Sequence, residues 1–541
     1  MCIRDRTLTA KNTGKASTKP GFWIDGAIHG NEVNGITCSL YTAWYLLTRY
    51  DYDTQVKNIL DRSVIYVLPM FNVDANASYL SLPNTENNPR EPFRPTDDDG
   101  DGLYDEDMTE DIDGDGEISM MYAEDPHGAY RLSKDGNRFI KIPDGDWWGG
   151  QRFRLIGPEG YDNDGDGLTG EDDLGGVDPN RNFIYDSNKL ACKTYPLSEP
   201  ETRNVWSFLS SHRNILVTFN FHNAGKWIMY TMPPKSMKTV DTSYMPDPSH
   251  VDSKYVQAGK FQFHINRVDP EYQHDQDVVV QIVKDGLFIL KDYTAPEETW
   301  LNGEAPASMY HMLGAYAFLM ELWGSDFPYA DFDNDGKISD EEFDKFIKFD
   351  LGGEGWIKPK KCHHPQLGDV WIGGSHKKHL DRNPPARYME EEASKNCMFL
   401  VHCMDELPAP KFGNYTVLKK GKNLYQVEVE LINDKVFPTI SDRSLQINRY
   451  VPDKINAKIS SGEIIEPIAK EKQEAPSVMS RYLRTAYLRD VTPAGKEVKF
   501  RTKGKSTQVF VYNIVASSGI LDLTYTSVTG GTDHLSIKLS E

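Results

Sequence analysis

The pattern of apolar and polar positions divides the chain into two unlike parts. In the first, nearly continuous apolar runs at 21–28, 63–69, 214–221 and 315–323 read as strands buried on both faces, the signature of a sheet covered by helices. Helical spacing of Val33, Ile36, Leu40, Trp44 and Leu47 predicts a helix over 31–50. A second helix start falls at Ser198-Glu-Pro-Glu-Thr-Arg203, with Ser198 as cap, Pro200 in the first turn and Glu201 three residues after the cap. A helical pattern around 390–404 closes this part, and Pro408-Ala-Pro410 marks a boundary. Beyond it, short alternating runs such as 425–432, 508–512 and 521–525, broken by turns, predict a β-sandwich. The expected fold class is therefore α/β. A mixed, mostly parallel sheet with helices on both faces occupies residues 1–407, and an all-β sandwich domain occupies 411–541.

One stretch obeys neither period. Residues 84–176 are rich in Asp, Gly, Pro and Asn and carry little regular patterning, so they are expected to be disordered or held by ions. Composition sharpens this. The net charge of −21 argues against nucleic acid or an anionic membrane as partner, yet no Lys or Arg occurs from Asp97 to Glu117, which points to cation binding. Six cysteines (Cys2, Cys38, Cys192, Cys362, Cys397, Cys403) form neither a disulfide framework nor a paired zinc spacing. No stretch is long and apolar enough to span a membrane, and the N-terminus lacks a signal-peptide core. The opening Met-Cys-Ile-Arg-Asp-Arg resembles a translated sequencing adapter, so the natural start, with any export signal, is expected upstream.

In open α/β sheets, ligands collect at the C-terminal ends of strands, and here those ends carry His29, His222 and Glu321. His29 and Glu32 share the first strand-to-helix turn, where an imidazole and a carboxylate three residues apart can point at one ion. A lone His-x-x-Glu is common by chance; distant partners decide its meaning. A catalytic zinc takes three protein ligands and an open position, with a carboxylate nearby to accept a proton. His29, Glu32 and His222 can supply the ligands, and Glu321, a carboxylate on an otherwise apolar strand, the base. Asn180 and Arg181, in Val177-Asp-Pro-Asn-Arg-Asn-Phe183, offer an amide and a planar fork suited to gripping a carboxylate.

These motifs, in this order, resemble the zinc metallocarboxypeptidases of the M14 peptidase class: His29-x-x-Glu32, Val177-Asp-x-Asn-Arg-Asn-Phe183, Ser198-Glu-Pro-Glu-Thr202, strand-borne His222 and Phe318-x-x-Glu321-Leu322. The resemblance implies that His29, Glu32 and His222 bind zinc, that Glu321 is general base and then general acid toward a zinc-activated water, and that Arg181, helped by Asn180, holds the substrate's terminal carboxylate. For the family's oxyanion arginine, Arg131, Arg152 and Arg154 are candidates. For its mobile tyrosine, Trp300 or Tyr293 stands nearest, while Tyr310 aligns with a different family tyrosine. The family domain begins with strands and a helix ahead of the first ligand, and only 28 residues precede His29 here.

The acidic stretches carry a second metal pattern. Residues 331–342 fit an EF-hand loop, with Asp331, Asp333 and Asp335 at places one, three and five, Gly336 at six, Lys337 at seven, Ile338 at eight and Glu342 at twelve. Residues 162–173 fit with Asp162, Asp164 and Asp166, Asp173 replacing the usual Glu. The stretches 97–107 and 111–119 share the Asp-x-Asp-x-Asp-Gly start but lack an acid at the twelfth place. Structural calcium is the expected occupant, which favours a secreted or periplasmic location, where calcium is abundant. His363, His364, His376 and His379 read as ordinary loop residues. The expected activity is that of a zinc carboxypeptidase on peptides or proteins with a free C-terminus. The alternatives are an M14-type amidase acting on peptidoglycan stem or γ-glutamyl peptides, and an inactive calcium-dependent binding protein. No target is assigned to the sandwich.

Overall fold

The computed structural model describes residues 6–85, 88–92, 94–95, 102–105, 107–145, 148–170, 176–187, 194–231, 272–296, 303–324, 330–333, 335, 338–380, 382–467 and 490–539. Its central sheet has six strands in the order Arg6–Leu8, Val64–Leu68, Gly21–Gly26, Ile215–Asn223, Tyr316–Leu322, Trp227–Tyr230. The inner four run parallel, and each edge strand pairs antiparallel with its neighbour. Successive side chains alternate between two cores. Phe22 and Ile24 face one core, shared with the helices Asn34–Arg49, Gln273–Leu290 and Ala386–Asp405. Trp23 faces the other, shared with Pro200–Ser211 and Ala305–Leu313. Double coverage is why these strands read as unbroken apolar runs.

The helix Asn34–Arg49 turns a different face inward from the one its large residues mark. Leu40, Trp44 and Leu47 are exposed, whereas Cys38, Ser39, Thr42 and Leu46 are buried. The cause is close approach to the sheet. A Cβ on Gly26 would lie 2.5 Å from the Gly35 carbonyl oxygen, and one on Gly35 would lie 3.1 Å from the Phe221 side chain. Only a face of small residues fits there. The helix at 200 also starts differently. Its cap position is Glu199, not Ser198, and Ser198 Oγ instead donates to Glu199 Oε1 at 2.6 Å.

The stretch expected to lack regular structure contains four strands, Met120–Glu124, Tyr130–Leu132, Phe139–Lys141 and Phe153–Pro158. They form an antiparallel sheet with Lys360–His364 and Gly368–Ile372, around a small core of Met121, Val370 and Ile372. Two of its strands come from more than two hundred residues away, so no local window displays the pairing. His363 and His364 accordingly sit on a strand, not in a loop. From Lys411 on, two antiparallel-rich sheets of five and four strands enclose a separate core that includes Tyr425, Val427, Phe510, Leu523 and Ile537. Among the described residues, no helix is long and apolar enough to cross a membrane.

Candidate metal centre

The C-terminal ends of the parallel strands bring the predicted residues together. Strand Gly21–Gly26 turns through Ala27 at φ 53°, and the Glu32 amide donates to the His29 carbonyl at 3.2 Å, closing the turn that aims both side chains inward. On the adjacent parallel strands Glu321 lies in register with His222. One ligand atom each from His29, Glu32 and His222 falls within 4.8 Å of the others. His29 Nδ1 is 2.7 Å from Glu32 Oε1, and His222 Nδ1 is 3.1 Å from Glu32 Oε2. All three residues are at most 2% exposed.

Buried ionisable groups this close fix one another's charge. Burial alone would keep Glu32 neutral, but His29 and His222 outweigh it and hold the carboxyl well below its usual range. Burial lowers His222, favouring its neutral imidazole, whereas at His29 burial and Arg90 are outweighed by Glu32 and Asp178, which raise it. A carboxylate and a neutral imidazole are the forms a metal requires. His222 Nε2 and Glu321 Oε2 are buried without a hydrogen-bond partner. The donor set and these unmatched atoms fit a zinc ion with a nearby base. Burial, then the charge of Glu32, raises the Glu321 carboxyl to about 8.

Two further residues complete the centre. Asp178, inside the Asn-Arg motif, had no assigned role; its Oδ1 is 3.0 Å from His29 Nε2, an orienting carboxylate behind a ligand imidazole. Arg90 was missed altogether. Its Nη1 donates to Glu32 Oε1 at 3.3 Å and its Nε lies 3.6 Å from Asp178 Oδ2, while its carbonyl accepts from Gly30 N–H at 3.0 Å. The three arginines proposed from sequence lie elsewhere, in the inserted sheet. Arg131 stacks over Trp148 at 4.9 Å, Arg152 donates to the Gly128 carbonyl at 2.7 Å, and Arg154 lies 3.9 Å from Asp125.

Asn180 and Arg181 sit on a short turn beside this cluster. Asn180 Oδ1 accepts from Ala305 N–H at 2.9 Å. Arg181 Nη1 donates to the Asn180 carbonyl at 2.8 Å and lies 3.4 Å from buried Glu304 Oε1, a neighbour the sequence did not reveal. Tyr293 is buried and donates to Glu392 Oε1, and Tyr310 is buried and donates to Asp275 Oδ2 at 2.9 Å. Trp300 lies outside the described residues.

The acidic loops share one architecture. Glu342 Oε1 accepts from Phe332 and Asp333 N–H groups and Oε2 from Ser339 N–H, which pulls its carboxyl down to about 2, the Ser339 bonds contributing most. Asp331, Asp333 and Glu342 cluster within 4.8 Å; Asp335 falls outside that group, and Lys337 lies outside the described residues. The loop at 111–119, which lacks a twelfth-place acid, obtains the equivalent from Glu159. Its Oε1 accepts from Ile112 and Asp113 N–H groups and its Oε2 from Ser119 N–H, the same three loop positions. In the 162 loop, Asp107 enters from outside the loop. It accepts from Asn163 N–H at 2.6 Å and clusters with Asp162 and Asp164, without Asp166. Asp173 lies outside the described residues. None of His363, His364, His376 or His379 joins a metal-capable group among the described residues.

Comparison with known proteins agrees with the ligand geometry. The sequence model of the family described as zinc carboxypeptidase, peptidase M14, matches residues 5–83 and 143–326. A curated relative, the inactive metallocarboxypeptidase ecm14 of Schizosaccharomyces pombe, is 38% identical over 63 residues, 12% of this chain and 13% of the relative. Among solved structures, thrombin activatable fibrinolysis inhibitor aligns at 13% identity with a TM-score of 0.37, covering 74% of this chain and 64% of that one. Carboxypeptidase A from Helicoverpa armigera aligns at 14% identity with a TM-score of 0.34, covering 60% of this chain and 56% of its own. The chain thus spans about an eighth of that curated relative and under two thirds of these solved chains. On the family match and the ordered motifs that converge on one centre, this chain belongs to the M14 zinc carboxypeptidase family.

Proposed function

We propose that the protein is a zinc-dependent metallocarboxypeptidase that removes residues from the free C-terminus of peptides. The observation that carries this is the convergence of His29, Glu32 and His222, with Glu321 in register beside His222. These three residues would hold zinc, which supplies Lewis acidity and a more acidic bound water. Every other step belongs to the chain. Glu321 accepts the proton of the attacking water and returns it to the leaving amine, a role suited to a carboxylate in register beside His222 with an oxygen that has no hydrogen-bond partner. Arg90, fixed between Glu32 and Asp178, places a guanidinium where the carbonyl oxygen gathers charge. Arg181 grips the terminal carboxylate and Asn180, anchored to Ala305, orients it.

The name of the S. pombe relative favours a second reading, an inactive binding protein. One experiment separates the two. Zinc-loaded protein should release single C-terminal residues from free-acid peptides and spare C-terminally amidated ones, and Glu321→Gln should lower turnover by about 10²–10⁴-fold with zinc retained. Binding without turnover would establish the inactive reading, and cleavage confined to cell-wall or γ-glutamyl peptides would establish the amidase.

The acidic loops are proposed to bind structural calcium, with Glu159 and Asp107 supplying carboxylates from outside their loops. Calcium should raise thermal stability by mass action. A secreted or periplasmic location goes with that reading, and fractionation of the native host checks it.

A further inference from the structure

The ladder between the strands that carry His222 and Glu321 ends one residue past that pair, where Asn223 faces Leu322. What fixes such a strand end is the turn that follows it. Trp323, fully buried, takes φ 42°, a backbone conformation that a bulky residue adopts only where its surroundings impose it. Three hydrogen bonds impose it here. The Trp323 carbonyl accepts from the N–H groups of Gly225 and of Lys226, the latter at 3.1 Å, which ties the Glu321 strand to the loop leaving His222. The Trp323 N–H donates to Glu392 Oε1 at 3.2 Å.

Glu392 reaches this turn from the helix Ala386–Asp405, beyond the residues matched to the family. It is 1% exposed, and its carboxylate is held from several directions. Oε1 also accepts from the Tyr293 hydroxyl, to which Asn396 Nδ2 donates at 3.0 Å. Oε2 pairs with Lys395 Nζ at 2.7 Å. Lys395 pairs in turn with Asp292 at 2.7 Å, and Asp292 with Lys226 Nζ at 2.8 Å. Lys226 is the residue whose amide holds the Trp323 carbonyl. The contacts therefore run from Trp323 through Glu392, Lys395, Asp292 and Lys226 back to Trp323, a closed ring that grips the turn by its N–H and by its carbonyl.

We propose that Glu392 is a positioning residue for the reaction: through the Trp323 amide it fixes the end of the strand that carries Glu321, and so the place of that carboxylate beside His222. This rests on the carboxypeptidase reading above. Packing alone does not call for a charge here, since an apolar residue of similar volume fills a buried contact at least as well as an ion pair. What an ionised carboxylate adds is a strong, directed acceptor for one amide. Direction matters at this point, because a reacting group displaced by about 1 Å loses about a hundredfold in rate.

The test compares zinc-loaded full-length variants on free-acid peptides, well below the unfolding temperature of each. Glu392→Leu removes the acceptor and should lower kcat by about 10–100-fold, with KM within about twofold of wild type and zinc affinity, read by dye competition, unchanged. Glu392→Gln still offers an oxygen to the Trp323 amide and should recover most of that loss. Tyr316→Phe is the control. It removes a buried hydrogen bond to Asp275 Oδ1 at the opposite end of the Glu321 strand and should lower stability alone. Equal kcat in Glu392→Leu and Tyr316→Phe, a loss confined to KM or to zinc affinity, or no recovery in Glu392→Gln would each overturn the assignment. If Glu392→Leu does not fold, Glu392→Asp, whose shorter side chain withdraws the carboxylate from the amide, replaces it under the same criteria. If wild type hydrolyses no peptide, the carboxypeptidase reading falls, and crystal structures of metal-free wild type and variant decide Glu392 separately. A shift of the Glu321 carboxyl relative to His222 by about 0.5 Å or more supports the assignment, and superposition of the two refutes it.

Discussion

Replacing Glu159 with glutamine exchanges one oxygen for an NH₂ group in the cradle of the 111–119 loop. Glu159 accepts three backbone N–H bonds through both oxygens, and glutamine can serve only one side of that cradle. At least one N–H of a nearly inaccessible site then loses its acceptor, at about 1–3 kcal/mol. An opposing effect comes from charge. Burial raises the Glu159 carboxyl from 4.5 to about 7, more than its N–H donors lower it, and Asp113 adds to the rise. That corresponds to about 3 kcal/mol against the ionised form. The folded protein therefore holds this proton more tightly than the unfolded chain. The associated stability is present below pH 4.5 and lost as pH rises through about 7.

Calcium-free wild type should thus be the more stable of the two at about pH 5, and the two should nearly coincide at about pH 8. A bound cation reverses the sign for the ionised carboxylate. At a hundredfold excess over its Kd, calcium adds about 2.7 kcal/mol to wild type, or roughly 2–3 °C in Tm for a chain of this size. Glu159→Gln should forfeit its share. Differential scanning calorimetry in chelator and in calcium, at both pH values, reads all four states. Equal calcium shifts in the two proteins, together with equal pH dependence, would refute the reasoning.

Two other substitutions probe the centre from opposite directions. Asp178→Asn removes the carboxylate behind His29 and should weaken zinc binding by about 10–100-fold, measured by competition with a chelating dye. Tyr293→Phe removes a buried hydrogen bond to Glu392 and should cost about 1–2 kcal/mol in denaturant unfolding, with kcat and KM as in wild type. A fall in kcat without loss of stability would return Tyr293 to the chemistry.

The candidate ligands His29, Glu32 and His222 and the candidate base Glu321 were legible because each hangs on a local signal: His29 and Glu32 on one turn, His222 and Glu321 at the ends of apolar strands. The partners of those ligands were not. Arg90 touches Glu32 from 58 residues on, and Asp178 touches His29 from 149 residues on. Neither contact leaves a mark in any window of sequence. The acid missing from the 111–119 loop was likewise absent from its local sequence and found in space, at Glu159, and Asp107 joins the 162 loop from outside it.

The amino-acid sequence by itself determined the periodicities, and through them the parallel core, the sandwich, and which chemical groups end up at strand termini. Backbone conformation and burial preference act over a few residues, so they are written locally. The tertiary structure alone decided the rest. It buried the small face of the helix Asn34–Arg49, because Gly26 and Gly35 let the backbones meet. It built a sheet from the acidic insertion with strands supplied at 360–372, and it brought Asn383 to the turn between His29 and Glu32, where its Nδ2 donates to the Asn31 carbonyl. Hydrogen bonds and charges across such distances form only after the chain has closed on itself.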